Sequence, residues 1–123
     1  LRRFAPDPPQ PVGLDSSALG VVREGLRDAA SLSFGTSVGV FGSFPVPVAG
    51  KTGTAEKWNS DLGRLVDQSW WCGWGPMDNP EIVVCALIEN GGFGGEAAAP
   101  AALQVFEAFF GVKAGVQGAV PSD

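Results

Sequence analysis

Lys51-Thr52-Gly53-Thr54, within the stretch AGKTGTAEKW, places an ammonium, two hydroxyls and one bare backbone position in four residues. Read as a strand, alternation puts Thr52 and Thr54 on one face and Lys51 and Gly53 on the other. Paired hydroxyls can donate to an anionic carboxylate, and the ammonium can supply positive potential or take part in proton transfer. Gly53 allows a substrate or a second backbone to come close. The Thr54 N–H, near a strand edge, is suited to stabilising an oxyanion.

The same Gly-Lys-Thr also occurs in phosphate-binding loops, which require G-x-x-x-x-G-K-[ST]. Here Pro45 stands where the first glycine belongs. Gly53 and the β-branched Thr52 and Thr54 also oppose the helix that such a loop must start. The strand reading is therefore adopted.

The remaining composition narrows the chemistry. The chain of 123 residues has no histidine, which removes His-based triads and most catalytic zinc sites. Acid–base work falls to Lys, Glu, Asp or a hydroxyl. Cys72 and Cys85 cannot by themselves make a four-ligand metal site, and they are too far apart for a C-x-x-C redox motif. No metal and no cofactor are expected. The net charge is -5, and Lys and Arg are scattered singly apart from Arg2-Arg3, so no nucleic acid partner is expected. No apolar run approaches the roughly 18 residues of a membrane span, and LRRFAPDPPQP lacks the apolar stretch of a signal peptide.

The elements that must position the tetrapeptide follow from punctuation and periodicity. Residues 1–14 carry Pro at 6, 8, 9 and 11 and are expected to form an extended connector. Asp15 or Ser16 can cap a helix reaching about Ala30, with Ala18, Leu19, Val22, Leu26, Ala29 and Ala30 at helical spacing. The segment SLSFGTSVGVFGSFP reads as an irregular loop. VPVAGKTGTAEKW is extended, WNSDLGRL is loop-like, and QSWWCGWG and EIVVCALIEN are strands joined through PMDNP. Pro100 fits the first turn of a last helix whose apolar face is Ala102, Leu103, Phe106, Phe109 and Phe110, and Gly111 ends it. A tail, 112–123, is expected to fray.

The order is helix, three strands, helix, an α+β arrangement of an antiparallel sheet flanked by helices. EIVVCALI is apolar on both faces, as in a strand covered on both sides. The expectation is that this chain is one piece of a larger domain.

The ordered set LDSSALGVVREGLRDAA, AGKTGTAE, WWCGWGPMDNPEIVVCALIENGGFGG and AAPAALQVFEAFF resembles the C-terminal part of a class B penicillin-binding protein transpeptidase domain, over roughly Arg3 to Gly111. IENGGFGGEAAAP is more similar to the elongation-type, penicillin-binding protein 2-like group than to the septal type. The resemblance implies the β-lactamase/penicillin-binding transpeptidase fold, with residues 15–111 as the C-terminal part of that domain. It implies a peptidoglycan D,D-transpeptidase that works through a serine acyl-enzyme and is acylated by β-lactams. Lys51 and Thr54 would be the catalytic residues; Thr52, Gly53, Thr54 and Trp58 would contact substrate. Implied partners are the N-terminal remainder of the protein, stem peptides ending in D-Ala-D-Ala, β-lactams and cell-wall synthesis proteins, at the extracytoplasmic face of a membrane.

The family's S-x-x-K and S-x-N motifs are absent. No serine of this chain has Lys three residues later or Asn two residues later. The chain thus supplies the K-T-G strand without a nucleophile, and alone it is expected to be inactive. Two alternatives differ in function: a β-lactamase-like hydrolase or D,D-carboxypeptidase, and a non-catalytic penicillin-binding-like scaffold or sensor.

Trp58 could line a substrate groove or pack on its own domain. Trp70, Trp71 and Trp74 occupy both strand parities and are expected to be mostly core. Glu56 and Lys57 read as an exposed strand end, and Glu89-Asn90 as a strand end and turn. If Asp78-Asn79 is a two-residue turn, Cys72 and Cys85 face each other across a hairpin. The extracytoplasmic setting implied by the resemblance permits a disulfide, but a longer turn would shift the register, and a pair of small buried thiols is the favoured reading.

Overall fold

The computed structural model describes Pro8 and residues 10–115. The chain forms α1 (Ser16–Ser31), α2 (Val38–Phe41), β1 (Ala49–Asn59), β2 (Arg64–Gly75), β3 (Ile82–Ile88) and α3 (Ala98–Phe110). The strands make an antiparallel sheet in the order β1-β2-β3.

Asp15 starts α1. Its carboxylate accepts from the Ala18 N–H at 2.9 Å and from Ser17 Oγ at 2.6 Å, satisfying one of the orphan donors of the first turn. These bonds hold the Asp15 carboxyl below its ordinary pKa. Only Ala30 of α1 is fully buried, at the end where the helix meets β1. The last helix, α3, carries Pro100 in its first turn and stops at Gly111, whose φ of 67° is the left-handed conformation glycine adopts without strain.

One face of the sheet carries the core. Trp71 lies fully buried at its centre, stacked on Phe41 with centroids 4.6 Å apart and edge-on to Phe106 at 5.8 Å. Val84, Phe44, Ala98, Ala99 and Ala102 close around these rings. The indole can lie across the sheet because Gly50 and Gly73 lack side chains. A Cβ on Gly50 would sit 2.8 Å from Trp71 Cη2, and one on Gly73 would sit 2.7 Å from Gly50 Cα.

The opposite face is open in this chain. Val83 is 72% exposed, Leu87 45% and Trp70 38%. EIVVCALI is thus apolar on both sides, with only one of them covered by these elements.

Three sequence expectations are corrected. The segment SLSFGTSVGVFGSFP is not wholly irregular: it contains α2, a single turn that lowers Phe41 into the core while Phe44 follows it. Burial of two phenylalanines outweighs the weak helix propensity of a Gly- and Ser-rich stretch.

WNSDLGRL is half strand, since β1 runs to Asn59 and β2 starts at Arg64. The turn is only four residues: Asn59 Oδ1 accepts from the N–H groups of Asp61 and Leu62, each at 3.0 Å, and Gly63 takes a φ of 62°. These strand ends project into solvent, so they lack the apolar alternation that marks a strand.

The hairpin through PMDNP is not a two-residue turn. Gly75 pairs with Ile82, leaving six residues between the strands, and the Glu81 N–H closes on the Gly75 carbonyl at 2.9 Å. The loop is centred where the shorter turn would be, so the register is the same. Cys72 pairs with Cys85, with Cα atoms 4.2 Å apart, and the two form a disulfide.

Trp71 is core, Trp74 is half-buried and Trp70 faces outward. Of the connector, Pro8 and residues 10–14 are exposed and outside any helix or strand. In the tail, Val112 and Ala114 pack against the core, and residues 116–123 lie outside the described residues.

Candidate active site

β1 is an edge strand, so one side of its backbone is free of sheet partners. It presents Lys51, Thr52, Gly53 and Thr54 opposite Cys72, Trp71, Trp70 and Ser69 of β2. Thr52 and Thr54 line a cleft of about 550 Å³ whose other walls include Thr36, Val40, Phe93 and Glu96. The cleft therefore lies between the K-T-G strand, the α1–α2 turn and the loop before α3.

Three buried contacts fix these walls. Ser69, wholly buried on β2, donates to the Phe93 carbonyl at 2.9 Å and accepts from the Ala98 N–H at 3.0 Å, pinning the loop and the start of α3. Gly94 passes so close to the sheet that a Cβ there would lie 2.6 Å from the Gly53 carbonyl oxygen. Trp71 Nε1 donates to Ser37 Oγ at 3.3 Å, and Ser37 Oγ donates to the Ala29 carbonyl at 3.2 Å, which anchors the α1–α2 turn.

The polar centre is compact. Lys51 Nζ donates to Thr52 Oγ1 at 2.8 Å, to the Thr52 carbonyl at 3.1 Å and to Thr36 Oγ1 at 3.1 Å, and Thr52 Oγ1 lies 2.8 Å from Thr36 Oγ1. The ammonium thus bends round the strand edge to join the hydroxyl face that strict alternation assigns to the threonines. Lys51 and Thr54 are exposed; Thr52 and Gly53 are half-buried.

Trp58 lies elsewhere. It borders a separate hollow of about 200 Å³ near the hairpin tip, together with Lys57, Asn59 and Glu89, and Lys57 pairs with Glu89 at 2.9 Å. The structure brings Lys51, Thr52, Gly53 and Thr54 together and leaves Trp58 outside their cleft. The residue not singled out from sequence is Thr36, which stands 15 residues before Lys51, and only the tertiary fold reveals its proximity. Among the described residues no cluster of His, Cys, Asp or Glu could hold a metal, and no helix is long and apolar enough to cross a membrane.

The edge strand, bearing an ammonium and paired hydroxyls and walled by a glycine loop, forms a polar cleft that can accept an anionic group. The family model for the penicillin binding protein transpeptidase domain matches residues 3–107, and the chain belongs to that family. It is 33% identical over 101 residues to the peptidoglycan D,D-transpeptidase MrdA of Haemophilus influenzae, covering 74% of this chain and 16% of that protein. MrdA of Escherichia coli K12 is 32% identical over 95 residues, covering 68% of this chain and 15% of the relative. The chain therefore spans about a sixth of the length of these relatives. Among solved structures, Pseudomonas aeruginosa PBP2 in complex with WCK 5153 superposes with a TM-score of 0.75 at 30% identity, covering 97% of this chain and 26% of that one. A chain from a peptidoglycan synthase complex that coordinates polymerization and crosslinking matches with a TM-score of 0.66 at 42% identity, over 80% of this chain and 17% of the other. The similarity is to the penicillin-binding protein 2 group within the family.

Proposed function

We propose that this chain is the K-T-G wall of a peptidoglycan D,D-transpeptidase of the elongation type, acting at the extracytoplasmic face of a membrane. A serine supplied by sequence outside this chain attacks the penultimate D-Ala carbonyl of a stem peptide, the terminal D-Ala leaves, and the amine of a neighbouring stem peptide takes the acyl group. β-Lactams acylate the same serine. Cell-wall synthesis proteins are its partners. The chain alone is inactive, because none of its serines stands in an S-x-x-K or S-x-N motif.

The observation that carries this reading is the union of Lys51 with Thr52 at the mouth of the 550 Å³ cleft that Thr54 also lines. The ammonium lends positive potential where the serine reacts. The threonine hydroxyls hold the carboxylate of substrate or drug, and the Thr54 N–H contributes half of an oxyanion hole. The open apolar face of β2 and β3 is consistent with a sheet completed by the rest of the domain.

The test is acylation of the full-length protein by a fluorescent penicillin. Lys51→Ala is expected to slow acylation by about a hundredfold or more, and Thr54→Val by about tenfold. Wild-type rates in both variants would sink the site assignment.

A further inference from the structure

The turn between α1 and α2 brings a third hydroxyl to the cleft. Thr36 Oγ1 accepts from Lys51 Nζ at 3.1 Å, as Thr52 Oγ1 does at 2.8 Å, and the two oxygens are 2.8 Å apart. Each hydroxyl has two acceptor sites and one O–H. Two hydroxyls bonded to each other and to a shared ammonium hold two protons, and their mutual bond uses one of them whichever way it runs. One O–H is therefore left over, and both residues line the cleft. A donor polarised by an adjacent ammonium favours an anionic acceptor.

Thr36 is also held in place. On its N-terminal side, the Gly35 N–H donates to the Leu32 carbonyl at 2.7 Å, and a Cβ on Gly35 would sit 2.6 Å from the Ala29 carbonyl oxygen. On its C-terminal side, Ser37 is tied to Ala29 through its N–H at 3.1 Å and its hydroxyl at 3.2 Å, and to Trp71 at 3.3 Å. A hydroxyl fixed by its neighbours loses little freedom when a ligand binds.

We propose that Thr36 is a binding residue of this site, completing with Thr52 and Thr54 a cradle of three hydroxyls for the ligand's carboxylate. This rests on the function proposed above. It extends the site from the K-T-G strand to a turn 15 residues upstream.

The experiment compares wild type, Thr36→Val, Thr36→Ala and Thr36→Ser in the full-length protein. Stopped-flow acylation by benzylpenicillin and by its methyl ester, which lacks the anion, separates the dissociation constant of the initial complex from the acylation rate constant. For benzylpenicillin, Thr36→Val and Thr36→Ala are expected to raise the dissociation constant about tenfold with little change in the rate constant, and Thr36→Ser to restore it. For the ester, the four proteins are expected to behave alike. Equal losses on penicillin and ester, or no loss on penicillin, would overturn the proposal. A wild-type protein that benzylpenicillin never acylates would instead overturn the transpeptidase reading, and this inference with it.

Discussion

Trp71 Nε1 donates to Ser37 Oγ at 3.3 Å, joining the middle strand of the sheet to a turn 34 residues away. Both groups are buried, and Ser37 passes the bond on to the Ala29 carbonyl. The residue before Ser37 is Thr36, and the residue opposite Trp71 on β1 is Thr52. One buried hydrogen bond thus sets the separation of two hydroxyls in the cleft, linking core packing to site geometry.

Removing the Ser37 hydroxyl leaves the Trp71 N–H unsatisfied in the interior, and removing the indole leaves Ser37 Oγ bonded to Ala29 alone beside a smaller ring. Ser37→Ala and Trp71→Phe are each expected to cost about 1–3 kcal/mol, and Trp71→Ala, which also empties the stack on Phe41, about 3–5 kcal/mol. Denaturant midpoints measure the losses, and the Ser37→Ala/Trp71→Phe double variant should cost less than the sum of its singles. Strict additivity would mean that the bond does not couple the turn to the sheet.

Gly50 and Gly73 permit the buried indole; Gly20 and Gly25 do nothing comparable in α1. Alanine at Gly50 would meet Trp71 Cη2 at 2.8 Å and the Cys72 carbonyl oxygen at 2.9 Å, whereas nothing lies within 4 Å of a Cβ at Gly20 or Gly25. Gly50→Ala is expected to destabilise by about 1–3 kcal/mol, and Gly25→Ala to stabilise by about 0.5–1 kcal/mol because it sits inside a helix. Thermal midpoints should move in opposite directions; a common direction would contradict the packing described for Trp71.

The parts legible in the sequence were those with local signatures. Asp15 before an amphipathic run, Pro100 and Gly111 bracketing the last helix, and the continuous apolar run of EIVVCALI each announced their element. K-T-G-T announced itself through chemistry. Residues whose structure depends on distant contacts were not legible. α2 exists because Phe41 and Phe44 have a core to enter, and the outermost pairs of the β1–β2 hairpin, Trp58–Leu65 and Asn59–Arg64, have no buried residue to pattern them. Thr36 carries no motif, and its place beside Lys51 comes from Gly35, Ser37 and Trp71. The register through PMDNP survived a wrong turn length because the six-residue loop is symmetric about Asp78-Asn79.

The Cys72–Cys85 bridge ties β2 to β3 on the open face of the sheet, across a sequence separation of 13. Closing a loop of that size in the unfolded chain corresponds to roughly 2–4 kcal/mol of stabilisation. Cys85 is exposed, so reductant can reach the bridge. Melting should fall when reductant is added to the wild type and should not respond to it in the Cys72→Ala/Cys85→Ala variant. Identical melting of the oxidised and reduced wild type would show that pairing of β2 with β3 needs no covalent tie.

Glu107 predicts how the end of α3 responds to acid. Its carboxylate accepts from Lys113 Nζ at 2.8 Å and from the Ala114 N–H at 2.8 Å, and these bonds, the lysine's first, hold its pKa below the ordinary 4.5. A carboxyl depressed in the folded state stabilises it fully above the unfolded-state pKa, and the contribution disappears as pH falls through the folded value. The tether of residues 113–114 to α3 should therefore be intact at neutral pH and release only below the usual carboxylate range. The Ala114 amide shift, followed by ¹⁵N NMR in protein labelled at alanine, should titrate with a midpoint below 4.5. Lys113→Met should bring that midpoint back up, and Glu107→Gln should abolish the titration. A wild-type midpoint at or above 4.5 would show that the pair does not hold the chain in solution.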